Sequence, residues 1–429
     1  MNERLTSRLG FLMLSAGCAV GLGNVWRFPY IVGKNGGAAF VLVYLAALAV
    51  LGFPLLAVEL GIGRGGGHGI VLSLRKLGRS LQRFWLLVGL AAFAGDLLLM
   101  LYYTDVAGWL VRYAGAYLTA SQPPALDAFR RNDLAEASFM LVTVAAATGV
   151  CLAGLVRGVE RVSKVLMVSL LAIIAVVAVR VCLLPGAERG LAFYLRPDWS
   201  AFMRNPLSSL LDAVGQAFFT LSVGIGAMTV FGSYTGRDRS LAGEAVWIVV
   251  IDTFVALMSG LVVFPACAAY GVDPSSGPGL IFAALPEVFS RMPGGGFWGF
   301  LFFSFLVMAA FTTVIGVFEC LIGGVSEIGG LKRGVATLLV GFVVAVGSMP
   351  CVLFDSALGW EDFAVSNIWL PVGALVQCAF VVLPWGWGWA NCRNEISAGR
   401  GLSLPDWMRW HYAIVIPALI AIILATGLW

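Results

Sequence analysis

Charge is what this chain has least of. Of its 429 residues, 27 are Lys or Arg and 23 are Asp or Glu, 12% together, where an average soluble chain carries about 25%. It has two histidines, His68 and His411, with nothing nearby to complete a metal cluster. The eight cysteines (Cys18, Cys151, Cys182, Cys267, Cys320, Cys351, Cys378 and Cys392) form no CxxC pair and no small-domain disulfide framework. They read as small buried hydrophobes. A soluble enzyme, a nucleic-acid binder and a disordered scaffold are excluded on these grounds, and the net charge of +4 implies no acidic partner.

What is present instead is apolar: 60% hydrophobic residues and 53 glycines, with a mean hydropathy of +0.93. Runs of about 20 apolar residues, the length that crosses a bilayer core, recur from end to end. Eleven spans are predicted, near 9–33, 39–62, 84–114, 136–155, 162–184, 207–233, 242–270, 297–323, 334–352, 363–388 and 409–428. The fold class is therefore an all-α polytopic membrane protein, one transporter-sized domain over 1–429, because lipid-exposed backbone must be hydrogen-bonded within each segment. The first apolar run continues into a full span without a cleavage site, so no signal peptide is expected. Alternate loops hold 17 and 8 of the Lys and Arg residues. The richer side, with Arg4, Arg8, Arg75, Lys76, Arg79 and Arg83, is cytoplasmic by the positive-inside rule. That places the N-terminus inside and the C-terminus outside. The long outer loops 115–135, 185–206 and 271–296 are expected to cap a vestibule or simply to connect.

Span 1 carries Ala19-Val20-Gly21-Leu22-Gly23-Asn24 at its centre, and span 6 carries Ser222-Val223-Gly224-Ile225-Gly226-Ala227. Each Gly costs a helix about 1 kcal/mol relative to Ala. Two such pairs at bilayer depth, one opening each five-helix half, predict discontinuous helices and an inverted repeat of 9–184 and 207–388, with 409–428 as an extra helix. One Gly-x-Gly alone would equally suit close helix packing. The run Gly63-Arg64-Gly65-Gly66-Gly67 lacks the lysine and hydroxyl of a phosphate loop and reads as a cytoplasmic hinge.

Arg8-Leu9-Gly10 and the stretch Ala16-Gly17-Cys18-Ala19-Val20-Gly21-Leu22-Gly23-Asn24-Val25-Trp26-Arg27-Phe28-Pro29-Tyr30 closely resemble the neurotransmitter:sodium symporter family. Further matches are Lys34-Asn35-Gly36-Gly37-Ala38-Ala39-Phe40, Pro54-Leu55-Leu56-Ala57-Val58-Glu59 and Gln216-Ala217-Phe218-Phe219-Thr220-Leu221-Ser222. The resemblance covers almost the whole chain and implies the leucine-transporter fold in a bacterial plasma membrane. By the same resemblance, a first sodium ion falls on the carbonyls of Ala19 and Thr220 and the side chains of Asn24, Thr220 and Asp252. A second falls on the carbonyls of Gly17, Val20 and Ala309 and the hydroxyls of Thr312 and Thr313. Read without the family, those two threonines bond back to their own helix. The substrate carboxylate is implied at the amides of Leu22 and Gly23 and the Tyr103 hydroxyl. Phe219 is the implied lid, with Cys18, Ala19 and Ser222 near the amino group. Leu99, Val20, Ile225, Thr313 and Val317 surround the side chain.

The resemblance also implies gates: Arg27 with Asp362 outside, Tyr234 with Glu327 inside, and Arg4 in place of an inner-gate arginine that is not matched. Glu59 is implied to brace the unwound part of span 1. Asp252 supplies negative charge that animal relatives take from chloride, so chloride is not expected. Gly21 stands where amine transporters place Asp. Asp96 and Asp105 depart from the family pattern and receive no role. The expected function is sodium-coupled import of a small, hydrophobic L-amino acid, in a lipid bilayer, with no nucleic acid and no obligate protein partner. An osmolyte or amine transporter and a non-transporting amino-acid sensor are the alternatives. No Ser-His or Asp-Asp constellation supports an intramembrane hydrolase.

Overall fold

The computed structural model describes residues 5–273 and 279–427. Arg4, part of the 271–296 loop and Leu428 lie outside the described residues. Among the described residues there is no strand; one isolated bridge joins Arg239 and Arg400. Nine helices among the described residues are long and apolar enough to cross a membrane, from Ala38–Gly66 to Met408–Thr426. A tenth is a pair, Arg8–Ala19 and Gly23–Lys34, inclined by 56° to each other. The stretch expected as span 6 consists of Pro206–Leu221 and Ala227–Ser233. Each half is shorter than the roughly 20 residues a bilayer asks for.

Several boundaries moved for local reasons. The helical segment Asp355–Val382 starts before the expected 363 and stops before 388. Its end is set by Leu383, extended at φ −74°, ψ 144°, as a residue preceding a proline prefers. The long loops 115–135, 185–206 and 271–296 are not plain connectors: they contain short helices at Leu126–Arg130, Ala187–Leu195 and Leu285–Arg291.

The expected hinge at 63–67 is mostly helix. The helix Phe53–Gly66 runs through it, and Gly67 alone turns left-handed, at φ +72°. Gly63 is required instead by a neighbour, since a Cβ there would overlap the Thr229 carbonyl, and one on Gly232 would overlap the Leu60 carbonyl. The 53–66 and 227–233 helices thus touch backbone to backbone. The short helix Ile70–Leu77 that follows is amphipathic: Ile70, Val71 and Leu74 are buried, while Arg75 and Lys76 are exposed. Two long helices, Gln82–Leu118 and Gly295–Gly329, pack against each other and face the interrupted pair.

Candidate substrate and cation site

Both interruptions leave backbone groups that their own helices cannot satisfy, and side chains from elsewhere take them up. At the first, Val20 turns extended (ψ 100°). The Gly21 N–H donates to Asn24 Oδ1 at 3.1 Å and the Leu22 N–H to the Tyr103 hydroxyl at 3.0 Å. At the second, Ser222, Gly224 and Gly226 have φ of +50°, +114° and +90°, a region that glycine enters at little cost. The Glu59 carboxylate accepts from the N–H groups of Gly224 (2.6 Å), Gly226 (3.2 Å) and Met228 (3.3 Å), and from Gln377 Nε2 (2.7 Å). Glu59 therefore holds the 222–226 segment, and the expectation that it braces span 1 is corrected. Three amides that the helices leave unsatisfied, at Gly224, Gly226 and Met228, make a fuller anion cradle than the pair at Gly21 and Leu22, whose N–H groups go to Asn24 and Tyr103.

The residues implied for a first cation come together. Asn24 Nδ2 donates to Asp252 Oδ1 at 2.8 Å and to the Asp252 carbonyl at 3.0 Å, and Thr220 Oγ1 donates to Asp252 Oδ2 at 3.0 Å. All three are fully buried. Gln216, a matched residue that had been given no role, sends Nε2 to the Gly23 carbonyl at 2.8 Å and so ties the two interrupted helices together. The second set also converges. Thr313 Oγ1 lies 3.2 Å from the Val20 carbonyl, 3.5 Å from that of Gly17 and 3.4 Å from that of Ala309. Thr312 Oγ1 donates back to the carbonyls of Met308 and Ala309, each at 3.0 Å. The two threonines thus divide the two readings between them. Both sets are all oxygen, the donor type that a hard cation takes.

A small cavity of about 20 Å³ lies beside these groups. Nine of the implied substrate residues line it: Ala19, Leu22, Gly23, Leu99, Tyr103, Phe219, Ser222, Ile225 and Thr313. Three do not. Cys18 points at Gly316, which a Cβ would bring against its sulfur, and Val20 and Val317 are buried elsewhere in the core. Gly21, Val365 and Leu370 complete the wall. Val365 and Leu370 were missed because their approach comes from how the 355–382 helix packs, which no local pattern announces. A larger cavity of about 270 Å³ lies on the other side of Phe219. The two share Leu22, Tyr103 and Phe219 as walls, so these three residues stand between them.

The implied gates are rearranged. Arg27 and Asp362 both line the larger cavity but make no direct ion pair among the described residues. The Arg27 guanidinium lies over the Phe219 ring instead, 4.4 Å from its centroid, a cation–π contact to the residue that the resemblance implied as a lid. At the other end, Tyr234 does not meet Glu327. Its hydroxyl donates to Glu319 Oε1 at 2.8 Å, and Glu319 takes a two-pronged pair from Arg333 at 2.7 and 2.6 Å. Glu319 lies about two helical turns before Glu327, and it, not the acid that the resemblance implied, meets Tyr234. Glu327 accepts from the Gly69 N–H at 3.0 Å and sits 3.3 Å from His68 Nδ1. Near the N-terminus, Arg8 pairs with Glu244 at 3.0 Å. Asp96 and Asp105, both buried, stay outside the small cavity. Asp105 belongs to a group with Glu136, which accepts from Trp109 Nε1 at 2.7 Å and lies 3.6 Å from Arg130.

Interrupted helices that meet beside a lidded cavity, within a polytopic helical chain, define a transporter, and comparison with known proteins says which kind. The chain belongs to the Sodium:neurotransmitter symporter family, whose description matches residues 2–127 and 131–429. Members of this family are transporters rather than enzymes. Among its relatives is a sodium-dependent transporter of Haemophilus influenzae, 31% identical over 100% of this chain and 98% of that protein. The sodium-dependent transporter YhdH of Bacillus subtilis is also 31% identical, over 97% and 96% of the two chains. The crystal structure of MhsT in complex with L-phenylalanine superposes with a TM-score of 0.88, at 32% identity and full coverage of both chains.

Proposed function

We propose that this protein imports a small hydrophobic L-amino acid together with sodium across a bacterial plasma membrane, by alternating access. The observation that carries the reading is the meeting of the two interruptions. They set Asn24, Thr220 and Asp252 beside a cavity whose polar members are backbone groups and the hydroxyls of Tyr103, Ser222 and Thr313. In this reading the chain makes eleven spans, the two five-helix halves 9–184 and 207–388 are inverted repeats, and the N-terminus is cytoplasmic. One sodium takes the carbonyls of Ala19 and Thr220 with Asn24, Thr220 and Asp252. A second takes the carbonyls of Gly17, Val20 and Ala309 with Thr312 and Thr313.

Sodium first orders the broken segments. The substrate carboxylate then lies at Leu22, Gly23 and Tyr103 and adds an oxygen to the first sodium, so each ligand raises the other's affinity. Phe219 closes over the substrate, and the helices that contain the interruptions rock against the 82–118 and 295–329 helices. Leu99 and Ile225 give the substrate side chain an apolar seat, where an unpaired charge would be costly. An amine substrate is disfavoured at Gly21, where a Cβ would press on the Tyr103 hydroxyl and stand 2.7 Å from Thr313 Oγ1, so no acid fits to meet an amine.

Purified protein in liposomes tests this. Labelled leucine or phenylalanine should accumulate only with an inward sodium gradient. Other hydrophobic amino acids should compete, while glutamate, lysine and dopamine should not. Uptake indifferent to the gradient, or dopamine competing as well as leucine does, would overturn the proposal.

A further inference from the structure

A second cavity of about 270 Å³ lies behind the substrate site and shares no residue with it. Its walls are apolar: Ile70 and Leu74 of the amphipathic helix, Val88 and Ala92 of the 82–118 helix, and Val372 and Val376 of the 355–382 helix. The Trp369 indole closes one end by donating to the Ala91 carbonyl at 2.8 Å. Ala91, Ile368 and Val372 are exposed at the opening. Leu87 and Leu90 continue the apolar surface beside it. In a membrane protein such a groove faces hydrocarbon, not water.

At the end opposite Trp369, four cations stand together: Arg75, Lys76, Arg79 and Arg83, all exposed. None of them has an acidic partner among the described residues. Lys76 Nζ caps the Gly66 carbonyl at 2.7 Å, which leaves three guanidinium groups without one. An aromatic group marks the depth at which water gives way to hydrocarbon. The half-buried Trp385 stacks on the buried Trp85 with the exposed Phe84 beside them, ring centroids 5.1 to 6.3 Å apart, and a Trp at the surface settles at headgroup level. Arg83 precedes Val88 by five residues and Ala92 by nine, about 7 and 13 Å along the helix. Those two positions are turned about 140° and 180° from Arg83, so the groove meets the basic cluster at Leu74, which lines it and is followed at once by the exposed Arg75.

We propose that this groove and the Arg75–Arg79–Arg83 cluster form one binding site for an anionic diacyl phospholipid of the adjacent leaflet, its phosphate on the arginines and one chain in the groove. Juxtamembrane basic clusters favour anionic lipids by about fivefold per cation, and a free small anion would leave the apolar half of the site unused. The site lies against the transport machinery without being part of it. Its inner wall includes Gly224 and Gln377, the latter bonded to Glu59 and to the Gly224 carbonyl (3.2 Å), so a lipid chain there rests on the segment Glu59 holds.

Native mass spectrometry of the full chain in detergent measures lipid retention without any transport, so its result is independent of the substrate reading. Phosphatidylglycerol should be retained at least tenfold better than phosphatidylcholine with the same chains. Dihexanoyl phosphatidylglycerol, which has the headgroup but little chain, should bind at least tenfold more weakly than the long-chain lipid. Arg75→Gln, Arg79→Gln and Arg83→Gln together should abolish the preference for phosphatidylglycerol. Val372→Trp, which fills the groove, should reduce retention of both lipids, and Val372→Ala should keep it. Equal retention of the two lipids by the unmodified chain overturns the proposal, as does a preference that survives the triple substitution. If Val372→Trp elutes as a monodisperse protein and binds normally, the groove half of the site is wrong.

Discussion

Replacing Tyr103 by phenylalanine removes one oxygen from a site where that oxygen has two tasks. In the structure it accepts the Leu22 N–H at 3.0 Å, and the residue is only 4% exposed. In the proposed complex it turns to donate to the substrate carboxylate. A hydrogen bond to a charged group contributes about 1.5–3 kcal/mol, and each 1.4 kcal/mol is about tenfold in affinity. Tyr103→Phe should therefore raise the leucine Kd by about 10- to 150-fold in a scintillation-proximity assay at saturating sodium. Tyr103 has no hydrogen bond to Asn24, Thr220 or Asp252, so sodium binding without substrate, followed by tryptophan fluorescence, should change by less than about threefold. The freed Leu22 amide is buried, and leaving it unpaired costs about 1–3 kcal/mol, so the variant should also unfold at a lower temperature. A Kd within twofold of the parent's would refute the carboxylate assignment. Loss of sodium binding together with substrate binding would show that Tyr103 supports the cation site rather than the substrate.

Asp252→Asn keeps the shape of the first cation site but removes its charge and adds donors where Asn24 and Thr220 already donate; sodium-dependent leucine binding should vanish. Because that carboxylate is the site's own anion, uptake by the unmodified protein should be the same in gluconate as in chloride, and a fall in gluconate would count against this role. Thr313→Val should raise the sodium concentration for half-maximal leucine binding by about tenfold, equivalent to about 1.4 kcal/mol. Thr312→Val should matter less, since that hydroxyl already bonds to its own helix; equal effects of the two, in the same binding assay, would contradict the geometry.

The apolar runs and the two Val-Gly-aliphatic-Gly segments made the architecture legible, because bilayer thickness and glycine's helix cost leave few alternatives. The meeting of Asn24, Thr220 and Asp252 was legible too, the first two from matched motifs and Asp252 from the span-7 position that the family resemblance implies. What failed were assignments decided by rotation about a helix axis. Cys18 is one residue, about 100°, from Ala19; Ala19 faces the cavity and Cys18 faces Gly316. Tyr234 could reach Glu319 or Glu327, and Arg333, from a neighbouring helix, favours the first. Glu59 lies within reach of both interruptions by sequence, and the three free amides at 224–228 decide which one it serves. None of these choices leaves a trace in periodicity, since each depends on a partner far along the chain.

The contact between Gly63 and Gly232 and the opposing carbonyls has a mechanical consequence. Two backbones that touch without side chains between them cannot slide past one another unless both are lifted clear, so the 53–66 and 227–233 helices behave as a single stiff flap. Glu59 ties Gly224 and Gly226 to that flap, so the joint left to it is Ser222, left-handed at φ +50°, where the Pro206–Leu221 helix ends. A cycle of opening and closing can then proceed by bending at one joint, with the seam beneath it undisturbed and no side chain there needing to find a new place on each turn.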